Sequence, residues 1–154
     1  MDLPDGYAAL PASLDDVPAV AAVLLADDLL DTGQSDYDED FVRNWWSSPG
    51  SDPAEDAWIV VAPGGEVIGS GSVIPDGETV LKSWGVVHPM HRGLGIGSAI
   101  LDSMEARAVE RLRGVSGASF HHSINDVDEA ARSMVPLMTP PALMLSPVGS
   151  PVAL

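Results

Sequence analysis

Three alternate glycines, Gly93, Gly95 and Gly97, follow Arg92, with His88 and His91 just before them and Ser98 just after. Glycine takes backbone conformations that let several N–H groups crowd round one point, and a helix starting there adds its unpaired amides and the positive end of its dipole. Such a bend suits an anion, above all a phosphate or pyrophosphate. A P-loop would need Gly, four residues and then Gly-Lys-Ser/Thr, and no lysine follows these glycines. A dinucleotide fingerprint needs G-x-G-x-x-G opening a βαβ unit with an acidic residue about 20 positions on. Here the repeat is G-x-G-x-G and lies past the middle of the chain, so both patterns fit poorly.

The flanking residues say what holds this bend. Leu81 to Val87 is apolar and rich in strand formers, Pro89 stops it, and Ile96, Ile100, Leu101, Met104, Ala108 and Leu112 recur at helical spacing up to Arg113-Gly114. Earlier, Tyr7 to Leu10 reads as a first strand. Ser13 with Asp16 approximates a capping box for a helix whose stripe is Val17, Val20, Ala21, Leu24 and Leu25. Tyr37 to Trp46 reads as a second helix within a markedly acidic stretch. Ala57 to Ala62, Val67 to Ile74 and Glu78 to Val87 are strands joined by Pro63-Gly64-Gly65 and Pro75-Asp76-Gly77, an antiparallel meander. Gly85 is expected to mark a bulge where the third of these leaves its neighbour. Ala118 to Ile124 is a further strand, followed by a helix capped at Asn125 to Asp128 and stopped by Pro136. Strand, glycine-loop crossover and strand make a βαβ unit, so those two strands should be parallel within a mixed sheet.

Arg92-Gly93-Leu94-Gly95-Ile96-Gly97, preceded by Val87-His88-Pro89, resembles the coenzyme A loop of the GNAT superfamily, the acyl-CoA-dependent N-acyltransferases, whose signature is Arg/Gln-x-x-Gly-x-Gly/Ala. The resemblance implies an α/β fold with a mixed central sheet, an antiparallel meander followed by the βαβ unit, and helices on both faces. It covers residues 1–135, leaving 136–154 as a divergent proline-rich tail in which only Ala142 to Leu145 is strand-like, and it is closest to the amino-terminal half of tandem GNAT proteins. It implies acetyl-CoA as cosubstrate, direct transfer of acetyl to a primary amine of a small cationic molecule, and a pyrophosphate held by Arg92, Gly93, Leu94, Gly95, Ile96, Gly97 and Ser98. Backbone groups of Val86 and Val87 would meet the pantetheine arm, with His88 beside them. Asn125 matches an asparagine that the family places near the coenzyme, although an ordinary helix cap explains it equally well.

For the chemistry itself, an alkylamine with a pKa of about 10 must lose a proton to attack. Glu78, at the start of the central strand, and His88 are the candidate bases, with a surface-turn role the plainer reading of Glu78. The resemblance also implies a tyrosine on the last helix to protonate the leaving sulfur, but the only tyrosines are Tyr7 and Tyr37. Trp45 and Trp46 are candidates for lining the amine pocket, with core packing expected for at least one of them.

Composition limits the alternatives. Seven Lys and Arg stand against 23 Asp and Glu, a formal charge of −16 that opposes nucleic-acid binding and repels coenzyme A, so local donors among Lys82, His88, His91 and Arg92 must act. There is no cysteine, hence no disulfide, thiolate metal site or cysteinyl intermediate. Adjacent His121 and His122 point to opposite faces of a strand, so no metal is expected. The apolar run Val17 to Leu25 is too short to span a membrane, which makes a cytoplasmic location the expectation and a homodimer a compatible assembly. A non-catalytic acyl-CoA-binding module is the competing reading, and a nucleotide-phosphate hydrolase a weaker third.

Overall fold

Helix α4 (Ile96–Arg111) lies across a mixed sheet because two strands present bare backbone to it. The computed structural model describes residues 1–31, 33–35, 37–124 and 143–147. Their strands are β1 (Ala8–Pro11), β2 (Ala57–Val61), β3 (Val67–Pro75), β4 (Val80–Val87), β5 (Ser119–Ile124) and β6 (Leu143–Pro147), and they pair in sequence order. The first four are antiparallel, while β4–β5 and β5–β6 are parallel. This is the meander followed by a crossover that the turn residues and the glycine loop imply.

Gly71 and Gly85 face each other across β3 and β4. A Cβ on Gly71 would collide with Ile100 Cγ2, and one on Gly85 would lie 3.2 Å from the Ser70 carbonyl and 3.3 Å from Ile100 Cγ2. The β3–β4 ladder runs through Gly85 without a register shift, so the expected bulge is absent there. Gly85 serves close helix approach instead, and the register shift falls at Val60/Val61 between β2 and β3.

The other sheet face is covered by α1 (Val17–Asp31), entered through a 3-10 turn at Leu14–Asp16, and by α2 (Glu39–Trp46). Ser13 and Asp16 do form the capping box. Val17, Val20, Leu24, Val42, Trp46, Ile59, Trp84 and Val86 make the core on this side; Val60, Ile68, Val73, Leu81, Ile96, Ile100, Met104 and Phe120 make the core under α4. Alternation along β4 decides the split, Trp84 and Val86 going one way and Leu81 and Val87 the other.

A short helix, α3 (Pro53–Asp56), has no counterpart in the sequence reading, because one turn is too short to show periodicity. It carries Asp56, 2% exposed, which accepts from Arg107 Nε at 2.9 Å and Arg111 Nη1 at 2.6 Å and so ties the far end of α4 to the sheet edge. Among the described residues no helix is long and apolar enough to cross a membrane.

Candidate functional site

At the end of β4 the chain leaves the sheet with His88 N–H donating to the Ile68 carbonyl at 2.7 Å. Pro89–His91 forms a 3-10 turn that Pro89 presets, and His88 Nδ1 accepts from Met90 N–H at 3.2 Å. His91 Nδ1 is 2.9 Å from the Tyr7 hydroxyl, which anchors the turn to the residue before β1. Gly93 and Gly95 then adopt φ of +78° and +82°, where a side chain would be strained, and a Cβ on either would meet nothing within 4 Å. The glycines therefore answer to backbone conformation, and the space beside them is open.

Gly95 immediately precedes α4 and offers no side chain to cap it. Among the described residues, no backbone N–H from Gly93 to Gly97 donates to a backbone carbonyl, the first helical bond being Ala99 to Gly95 at 3.0 Å. Gly93, Leu94 and Gly95 are exposed and Ile96 is buried under the helix. Amides without a backbone acceptor at the positive end of a 16-residue helix are suited to an anion.

Beside the glycine bend the sheet forks. β4 and β5 pair only over Val80–Ser83 and Ser119–His122, whereas β4 continues to Val87 and β5 to Ile124. Among the described residues the edge of β4 over 84–87 thus has no strand beside it on that side, and Gly85 is exposed there. Val87 turns its backbone groups to this edge, next to the glycine bend, whereas those of Val86, in phase with His88 and its bond to Ile68, face β3.

The charged groups distribute differently from expectation. Arg92 reaches back to α1, Nη2 lying 2.5 Å from Asp27 Oδ1. Lys82 does not join His88, His91 and Arg92; its Nζ is 2.7 Å from Asp76, and five strand positions separate it from Val87, roughly 16 Å at the rise of a β-strand. Glu78 sits exposed in the β3–β4 turn, before β4 begins, because Asp76 N–H closes that turn on the Val80 carbonyl at 2.9 Å. It is therefore at the opposite end of β4 from the loop and is not brought into the site. His88 is. Asn125 and the helix expected over 127–135 lie outside the described residues.

On the α1/α2 face, Tyr37, Phe41 and Trp45 form a run of rings, with Phe41 also edge-on to Trp84 at 5.9 Å. Trp45 is half-buried and donates from Nε1 to Ser72 Oγ at 2.9 Å, whereas Trp46 is 1% exposed and belongs to the core. Asp38 caps α2 by accepting from Phe41 N–H, and Asp38, Glu39 and Asp40 are exposed at that end.

One cluster went unseen in sequence. Ser83 and His122 form the last rung before the fork, with Ser83 Oγ 2.5 Å from His122 Nδ1, and His122 Nε2 faces Glu105 Oε1 on α4 at 3.5 Å. Burial lowers the His122 pKa to about 4. The Glu105 pKa is raised, by burial first and by Asp102 second. The partners of His122 depend on strand register and helix docking that no local pattern encodes.

The description "Acetyltransferase (GNAT) family" matches residues 22–134. In shape the chain is similar to a GCN5-related N-acetyltransferase from Sphaerobacter thermophilus, at 27% identity and a TM-score of 0.74, covering 88% of this chain and 44% of that one. It is also similar to yncA from Salmonella typhimurium, solved with its cofactor acetyl-CoA (18% identity, TM-score 0.63, 86% and 78% covered). A third similar structure is Rv2747 from Mycobacterium tuberculosis in complex with CoA and NLQ (21%, 0.51, 68% and 59%). The chain thus spans less than half the length of the Sphaerobacter protein. No curated protein sequence matches it.

Proposed function

This chain belongs to the GNAT acetyltransferase family, and from that premise we propose that it binds acetyl-CoA at the glycine bend and transfers the acetyl group directly to a primary amine of a small cationic molecule. The observation that carries this reading is the run of amides from Gly93 to Gly97 without a backbone acceptor among the described residues, opening α4 beside the edge of β4 that β5 leaves. Leu94 to Ser98 would hold the pyrophosphate, with Arg92 turning to it from Asp27. The open edge of β4 offers main-chain partners for an amide-bearing arm, and an N–H on that edge is suited to the oxyanion that develops during attack. His88 continues β4 with Nδ1 accepting from Met90 N–H, which puts the hydrogen of the neutral ring on Nε2, so the ring would take the amine proton at Nδ1, through water, on releasing Met90.

The acceptor class rests on the acidic, aromatic face. Exposed Asp38, Glu39 and Asp40 beside the rings of Tyr37, Phe41 and Trp45, in a chain of formal charge −16, favour approach of a cation. With 44% of the Sphaerobacter chain covered and no tyrosine after Tyr37, a module that binds acyl-CoA without turnover is the second reading. Calorimetric titration with acetyl-CoA followed by thiol release across a panel of primary amines separates the two. Binding with release is expected; binding alone supports the module, and absence of binding removes both.

A further inference from the structure

The family resemblance leaves the leaving sulfur without its usual tyrosine, and the fork contains a different group that can supply a proton. We propose that Ser83, His122 and Glu105 form a proton relay at the closed end of the β4–β5 fork, with Ser83 as the acid toward the departing thiolate and His122 and Glu105 as positioning residues behind it. This rests on the coenzyme A reading above, which lays the pantetheine arm along the open edge of β4.

Three observations carry the assignment. Ser83 and His122 are cross-strand partners on the last paired rung, so their side chains stand where the two strands part. Ser83 Oγ and His122 Nδ1 are 2.5 Å apart with both residues at 2% exposure or less, a contact that fixes one hydrogen between them. His122 Nε2 and Glu105 Oε1 are each buried with no hydrogen-bond partner among the described residues, yet face each other at 3.5 Å. Two such atoms left unpaired are costly unless a proton passes between them.

The surroundings set the direction. His122 is packed edge-on to Phe120 at 4.5 Å, α4 brings Glu105 with Asp102 acting on it, β4 brings Ser83, and β6 holds no titratable residue among Leu143 to Pro147. Burial keeps the imidazole neutral and pushes Glu105 toward its protonated form. The Glu105 side chain is 19% exposed, the cluster's route to water.

The step then balances. As the amine nitrogen bonds to the carbonyl carbon, the C–S bond breaks and its electron pair stays on sulfur. Ser83 gives its hydroxyl proton to that sulfur, His122 Nδ1–H replaces it, and the Glu105 carboxyl proton passes to Nε2. The proton shed by the amine goes to water, and once the thiol has left, water returns one through Ser83 to Nδ1 as the Nε2 proton passes back to Glu105.

Two measurements test this on the full chain. Long-range ¹⁵N–¹H spectra of the imidazoles should show His122 neutral with the proton on Nδ1; a proton on Nε2 at neutral pH would reverse the relay and overturn it. Ser83→Ala and Glu105→Gln should leave the acetyl-CoA Kd within about twofold while lowering kcat with phenethylamine about 10- to 100-fold, the low end for general acid catalysis because a thiolate of pKa about 8.5 leaves readily. Glu105→Gln should also flatten the alkaline fall of kcat. Unchanged kcat in both variants, with affinity and melting temperature kept, would mean the cluster only packs. A wild-type protein that binds acetyl-CoA without turnover with any amine would remove the relay alone, and one that does not bind would remove the coenzyme reading with it.

Discussion

The two ends of α4 handle polar groups in opposite ways. At its C-terminal end Arg107 and Arg111 converge on buried Asp56, and Arg107 also reaches Glu55 and Glu110 at 2.9 and 2.7 Å, while Arg111 reaches the Gly50 carbonyl at 3.0 Å. Every charge there is matched. Burial opposes the charged form of Arg107, but Glu110 and Asp56 more than offset it and raise its pKa above the ordinary arginine value. At the N-terminal end the loop amides from Gly93 to Gly97 have no backbone acceptor among the described residues, and the space beside Gly93 and Gly95 is open. A helix end that packs against its own protein satisfies its groups internally, and one that meets a ligand keeps them outward. The contrast matters in a chain with only seven Lys and Arg, two of which serve the structural end.

That division can be broken by substitution. Asp56→Ala leaves two arginines beside an emptied site and should lower the unfolding free energy by about 3–5 kcal/mol, the cost of breaking a buried ion pair. Denaturant unfolding measures it, and the acetyl-CoA Kd of the folded variant should stay within about twofold. Arg92→Glu should do the reverse, raising that Kd roughly 100-fold, about 2.7 kcal/mol, with a small change in melting temperature. If the two variants exchanged effects, the assignment of the helix ends would be backwards.

A third prediction concerns acid. His122 has a folded pKa of about 4 against 6.5 for the free side chain, so its contribution is complete above pH 6.5 and is lost as pH falls toward 4. Glu105 works in the opposite sense, since a raised folded pKa favours the native state at low pH and loses that advantage as pH rises. Glu105→Gln removes the opposing titration, so its stability should decline more steeply between pH 6.5 and 4 than that of the wild type, as followed by unfolding at fixed pH steps. The smallest effect is expected from Asp27→Asn. Releasing Arg92 from its partly exposed partner should tighten acetyl-CoA about twofold to fivefold, at most about 1 kcal/mol, with the gain shrinking in high salt.

The segment from β4 through α4 was the most legible, because Pro89 and the alternating glycines punctuate a clear change of period from strand to helix. Gly85 is a place of close helix approach and not a bulge; glycine in a strand signals either, and the Ile100 contact with the unbroken β3–β4 register distinguishes them. By its pattern the strand run begins at Glu78, yet the turn closes at Val80, and that shift leaves Glu78 outside the site. The pairs Arg92–Asp27 and Ser83–His122, 65 and 39 residues apart in sequence, could not be found from local spacing.

The most direct test of the central claim follows the backbone amide resonances of ¹⁵N-labelled protein during titration with acetyl-CoA. The amides of Leu94 to Ser98 should show the largest shifts, saturating together, while those of Arg107 to Arg111 stay in place. Shifts concentrated at Arg107 to Arg111, with the glycine bend unmoved at saturation, would contradict the claim that this chain holds its cosubstrate on the bare end of α4.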